Sequence, residues 1–176
     1  MTTLDVMLDI ETLGTAPGSV VLAIGAACEG DQFYAQLPVL PQIFLGLTID
    51  ADTMSWWRKQ DPVAWASSTQ GSGGIADALV HFSQWLAKLR RGAEDQPTGN
   101  KIRVWGDSCS FDCGLLACVY RAAGVLTPWA YSEEYCYRTL RQLRFSEKPK
   151  AKLQHNALDD ARAQFVHLQE LLNEHT

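Results

Sequence analysis

No stretch of this 176-residue chain comes close to a membrane span. About 20 consecutive apolar residues would be needed, and every apolar run here is broken well short of that. The amino terminus, MTTLDVMLDIETLG, also lacks the basic start and long apolar stretch of a secretion leader, which predicts a cytoplasmic protein. Cysteine is scarce and odd in number, with five residues at 28, 109, 113, 118 and 136. That excludes a disulfide framework. Cys109 and Cys113 are spaced as a zinc pair would be, but no second Cys/His pair stands at a suitable distance to close four ligands, so buried free thiols are the better reading. There is no excess of positive charge either. The formal net charge is −5, which excludes a protein that holds nucleic acid through its phosphates alone. Repeats and low-complexity tracts are absent.

What is present is an ordinary globular composition, 47% hydrophobic and 20% charged, of a length that fits one domain over residues 1–176. LDVMLDIE reads as a buried strand ending on two acids, VVLAIGAACE as a second and DQFYAQLPV as a third. Their short links predict an antiparallel meander. ADTMSWWRKQ and DPVAWASS read as short helices, the first capped by Asp50 or Asp52 and the second begun by Pro62. Residues 75–89 place Ile75, Leu79, Phe82, Leu86 and Leu89 on one helical face. RRGAEDQPTGN is a surface loop, and IRVWG a short strand parallel to the first. SFDCGLLACVYRAAG follows as a helix, with Ser110 as its N-cap and Gly124 as its C-cap. YCYRTLRQLRF is a further helix. Residues 156–174 close the chain as a long helix with Leu158, Ala161, Phe165, Leu168 and Leu172 inward. This order describes an α/β fold with a mixed sheet of antiparallel meander and parallel strands flanked by helices, and a ribonuclease H-like arrangement satisfies it.

Carboxylates fall at the ends of three of these elements. Asp9 and Glu11 are two apart in a strand, so both point to one face. Pressed together they repel, and a divalent metal removes that repulsion by binding both. Asp112 lies in the first turn of the helix after IRVWG, where an acid is also favoured simply by the helix N-terminus. In HNALDDA, His155 precedes the last helix and Asp160 lies inside it. Asp159 is about 100° further round and cannot serve the same ion equally well. Residues 138–152 form a local basic patch with Arg138, Arg141, Arg144, Lys148, Lys150 and Lys152 against the single acid Glu147.

LDIETLG, WGDSCSFD and HNALDDA resemble the three motifs of the DEDDh superfamily of 3′→5′ exonucleases. The wording around them, SWWRKQ and CYRTLRQL, is similar to a narrower group of phage and bacterial enzymes of exodeoxyribonuclease VIII-like or mycobacterial-type exoribonuclease character. The resemblance spans residues 4 to about 171. It implies that Asp9, Glu11, Asp112 and Asp160 hold two divalent cations, Mg2+ or Mn2+, and that His155 is the general base. Two such ions about 3.5–4 Å apart clamp the attacking and leaving oxygens of an in-line displacement. The implied partner is a nucleic acid with a free 3′ end, RNA or DNA, and the product a nucleoside 5′-monophosphate.

Asp107 departs from the family pattern, standing where relatives of the narrower group usually carry Asn, and it competes with Asp112 for the second-motif role. Asp112 is preferred because it stands at the regular helix start. Trp57 or Trp56 is the candidate stacking surface for the terminal base, since both cannot face the core from one helical turn. Leu13 resembles the position that wedges against terminal bases, and Phe111 is a second wedge candidate. Thr12 and Leu13 offer backbone donors to the terminal sugar. Many relatives pair as homodimers, so a homodimer that lends the basic patch to its partner's site is one option. A catalytically inert binding module of the same fold is another reading, although none of the five site positions is missing.

Overall fold

The computed structural model describes residues 2–92 and 99–173. Its centre is strand β1 (Thr2–Thr12), which pairs antiparallel with β2 (Val21–Cys28) and parallel with β4 (Asn100–Gly106). β3 (Asp31–Gln36) extends the meander beyond β2, and β5 (Glu134–Cys136) lies parallel to β4 at the other edge. The sheet order is β3-β2-β1-β4-β5, the mixed sheet the sequence predicts, with one strand more. β5 is only three residues long, too short to leave a period in the sequence.

Because side chains alternate along a strand, β1 serves two layers at once. Val6, Leu8 and Ile10 enter the main core with helices α4 (Ile75–Arg91) and α5 (Asp112–Ala122). Met7 faces the opposite layer with Trp105, Tyr137, Leu168 and Leu171. That second layer is built by α6 (Tyr137–Leu143) and α7 (Ala157–Asn173). Asp9 and Glu11 share the parity of Met7, so they belong to the face that α7 covers.

Three short helices precede α4. α1 (Val39–Phe44), not expected from a segment containing Pro41, is tied to β2 by the buried Gln42 side chain. That amide donates to Val21 O at 2.7 Å and accepts from Val21 N–H at 2.9 Å. α2 (Ala51–Trp57) is capped by Asp50, which accepts from the N–H groups of Asp52 and Thr53. α3 (Pro62–Thr69) starts on Pro62 with Asp61 as its cap. Most of the loop expected before β4, residues 93–98, and residue 174 at the end of the last helix lie outside the described residues.

Two helix details differ from expectation. Ser110 does not cap α5. Its hydroxyl pairs with that of Ser108 and Phe111 is the boundary residue. At the other end Gly124 lies just past the C-cap Ala123 with φ +69°, the left-handed turn that glycine adopts without strain. The inner face of α7 is Ala157, Ala161, Gln164, Leu168 and Leu171. Leu158, Phe165 and Leu172 are only partly buried, because the helix is rolled so that a glutamine rather than a phenylalanine meets the sheet. No described helix is long and apolar enough to cross a membrane.

Candidate active site

The site begins at a missing side chain. Asp9 pairs with Gly25 across β1 and β2. A Cβ on Gly25 would stand 2.1 Å from the carbonyl carbon of Ala157, so the first residue of α7 rests directly on the backbone of β2. This close approach swings Asp160 over the end of β1. Carboxylate oxygens of Asp9, Glu11 and Asp160 lie within 4.8 Å of one another.

The turn into α7 is shaped to make that approach. His155 has φ +63°, a left-handed backbone unusual outside glycine. Its N–H donates to Asp160 Oδ2 at 2.8 Å. Asn156 Oδ1 accepts the N–H of Asp159 at 3.1 Å, capping the helix. Asp159 itself turns outward to Arg162 at 3.1 Å, as its angular offset from Asp160 requires. The His155 ring meets the edge of Trp56, with centroids 4.7 Å apart.

Asp112 comes from the N-terminus of α5 and is buried, with Oδ2 accepting the Ser108 N–H at 3.1 Å. It stands outside the close triad of oxygens but lines the same cleft of ≈ 650 Å³. Asp107 lines that cleft too, yet its Oδ2 is taken by Arg138 at 3.0 Å and Lys148 at 3.4 Å. Burial alone would push its carboxyl up, but the Arg138 hydrogen bond and the two neighbouring cations hold it below the usual range. Of the two competing acids, Asp112 is the one without an ion pair among the described residues.

The four remaining acids are held in an unfavourable electrostatic environment. Burial, then the charges of Asp112, Glu11 and Asp160, raises Asp9 well above an ordinary carboxylate. Glu11 is pushed up to about 8 by burial and by Asp160 and Asp112. Burial lifts Asp112 to about 7 against the opposing Ser108 hydrogen bond, and burial also raises Asp160. Lys148 opposes the rise at all four. Packed, desolvated carboxylates of this kind favour protons or a cation. Since the donors are all oxygen, a hard divalent ion suits them.

One residue of the site escaped sequence reasoning. Gln164, fully buried, donates from Nε2 to Asp9 Oδ1 at 2.8 Å. The available signal was its spacing of four from Asp160, which puts both side chains on one helix face.

The substrate-contact candidates separate. Thr12, Phe111, Trp56 and Trp57 line the cleft. Trp57, however, is 3% exposed and donates its indole N–H to Thr12 O at 2.8 Å, while Trp56 is 40% exposed. Of the two tryptophans expected as the stacking surface, Trp56 therefore offers the free ring, and Trp57 is corrected to a core residue. Leu13 is also corrected. It is buried in the core, its N–H donates to Val20 O at 2.8 Å and its carbonyl accepts from Asp50, so neither wedge nor donor is available. The basic segment sends Arg138 and Lys148 into its own chain's cleft.

Comparison with known proteins bears on the family and the fold. A family model described as a 3′-5′ exoribonuclease Rv2179c-like domain matches residues 4–172. No curated protein sequence matches. Among solved structures, cell-death related nuclease 4 (CRN-4) is similar at 17% identity and a TM-score of 0.59, over 99% of this chain and 65% of that one. The nuclease domain of 3′hExo, a DEDDh family member bound to rAMP, gives 9% and 0.60 over 97% and 92%. E. coli exonuclease I, in complex with a 5cy-dT13 oligonucleotide, gives 13% and 0.57 over 100% and 42%. The chain thus spans less than two thirds of the first and third of these proteins. At such identities the likeness is one of fold.

Proposed function

The chain belongs to the Rv2179c-like 3′-5′ exoribonuclease domain family, and from that premise we propose that residues 1–176 act as one metal-dependent 3′→5′ exonuclease domain on single-stranded RNA. The observation that carries the reading is the convergence of Asp9, Glu11 and Asp160 within 4.8 Å, with Asp112 and His155 on the same cleft. Asp9, Glu11, Asp160 and Asp112 would hold divalent cations, Mg2+ or Mn2+. Bound there, the cations supply Lewis-acid polarisation of the scissile phosphate and charge neutralisation.

The chain's own groups do the rest. His155 stands at the cleft with its ring braced on Trp56 and takes the proton from the attacking water, a task suited to an imidazole. The water oxygen bonds to phosphorus as the bond to the 3′ oxygen of the preceding nucleotide breaks. A nucleoside 5′-monophosphate leaves, and the departing 3′ oxygen takes a proton from solvent to become the new 3′-hydroxyl. Trp56 gives the terminal base an exposed ring for stacking.

The test is digestion of matched 5′-labelled RNA and DNA strands with Mg2+, wild type beside Asp9→Ala. Stepwise shortening of RNA from the 3′ end by wild type alone is expected. Equal degradation by both proteins would sink the mechanism, and faster loss of the DNA strand would transfer the reading to DNA.

A further inference from the structure

The ion-paired trio Asp107, Arg138 and Lys148 remains outside the cleavage chemistry. Asp107 follows directly on the C-terminal end of β4, next to β1, where Leu8 pairs with Gly106. Its Oδ1 is buried without a hydrogen-bond partner among the described residues, and its Oδ2 meets both cations. The Arg138 backbone N–H also donates to Asp107 O at 2.9 Å, which pins the start of α6 to the end of β4. The Lys148 segment has its own support. Ser146 Oγ bonds His167 Nε2 at 2.7 Å, and Ser146 O accepts from Arg141 at 3.2 Å.

The two cationic side chains stay 49% and 37% exposed while lining the cleft. Pairing to the Asp107 carboxylate, whose side chain is only 15% exposed, uses one contact from each cation and leaves their remaining donors to the cleft. Two cations fixed on one carboxylate, with donor capacity still facing the cleft, match a phosphodiester oxygen.

We propose that Arg138 and Lys148, presented by Asp107, form a subsite for the backbone phosphate next to the scissile one, one nucleotide toward the 5′ end of the strand. The inference rests on the exonuclease reading for the position of the strand. The acids of the cleft and their cations account for the scissile phosphate, and the basic wall on the β4–α6 side receives its neighbour. Asp107 is then a positioning residue rather than a metal ligand.

The experiment compares a dinucleotide with a 5′-phosphate and the same dinucleotide with a 5′-hydroxyl, which lacks the second phosphate. For wild type the phosphorylated form should have the higher kcat/KM, through KM. Arg138→Ala and Lys148→Ala should each lower kcat/KM for the phosphorylated form about tenfold more than for the other, the scale of a lost charge-assisted contact. Asp107→Asn, which retains both cations, should shrink the same preference. An undiminished preference in all three variants, or equal losses on both substrates, would overturn the subsite.

A readout independent of cleavage is the salt dependence of binding to a fluorescent single-stranded oligonucleotide. The slope of log K against log salt should fall by about 0.7 for each cation removed, and Lys88→Ala, paired to Asp31 at a remote turn, serves as the control. An unchanged slope in the Arg138 and Lys148 variants overturns the subsite even if no strand is cleaved. A reduced slope in a protein that cleaves nothing would instead remove the exonuclease reading and leave the phosphate contact standing.

Discussion

Gln164 Nε2 donates to Asp9 Oδ1 at 2.8 Å, and the bond joins the inner face of α7 to the end of β1 with both groups buried. The donor is neutral, so it orients the carboxylate without cancelling charge that a cation needs. Gln164→Leu leaves Asp9 without its donor. Affinity for Mn2+, read by calorimetry, should fall by about 10–100-fold, as partners behind metal ligands generally show. Full affinity in this variant, with an unchanged circular dichroism spectrum, would show that the bond orients nothing.

Gly25→Ala tests the packing that delivers Asp160. The added methyl would stand 2.1 Å from Ala157 C and 2.3 Å from Leu158 N, backbone atoms that cannot rotate away. A loss of about 1–3 kcal/mol or more in urea denaturation is expected, together with activity falling below what the residual folded fraction explains. Gly114→Ala is the contrast. Gly114 lies inside α5 and the nearest atom to an added Cβ is Cys109 O at 3.8 Å, so stability should rise by up to about 1 kcal/mol.

The raised carboxyls set a pH dependence for protein kept in a chelator. Burial pushes Glu11 up to about 8 and Asp112 up to about 7 in the folded protein, against 4.5 and 3.8 as their ordinary values. Between these limits the native state binds more protons than the unfolded chain, so stability falls as pH rises. The contribution is complete below about pH 4 and is lost through pH 7 to 8. Melting temperature in chelator should drop over that window, and saturating Mg2+ should restore it at the alkaline end. A metal-free melting temperature that climbs from pH 5 to 8 would contradict the burial of these acids.

Trp56 and Trp57 are adjacent but differ in consequence. Trp57→Phe removes the bond to Thr12 O and should cost stability, about 1 kcal/mol or more. Trp56→Ala should leave the melting temperature nearly unchanged and raise KM for oligonucleotides, since base stacking on an aromatic ring contributes about 1–3 kcal/mol. The opposite pattern would make Trp57 the contact surface after all.

Much of the site was legible because it rests on local geometry. The two-residue step from Asp9 to Glu11 puts both on one face of any strand, and the angle between Asp159 and Asp160 sends one outward on any helix. Capping by Asp50 and the glycine stop at Gly124 follow from neighbouring backbone alone. β5, at three residues, was below the length at which a period shows. Leu13 looked available because nothing local reveals that its N–H is bonded to Val20.

The sequence by itself therefore determined four of the five strands of the mixed sheet, the order of most elements, and the parity that gathers acids at strand ends and helix starts. These are consequences of short-range periodicity and turn chemistry. Only the tertiary structure decided which acid found a cationic partner, which tryptophan stayed open, and how far α7 rolls to place Gln164 on Asp9. Those outcomes depend on contacts between segments distant in the chain. Asp107 and Asp112 are the same residue type five positions apart, and it is the arrival of Arg138 and Lys148 that gives Asp107 its cationic partners.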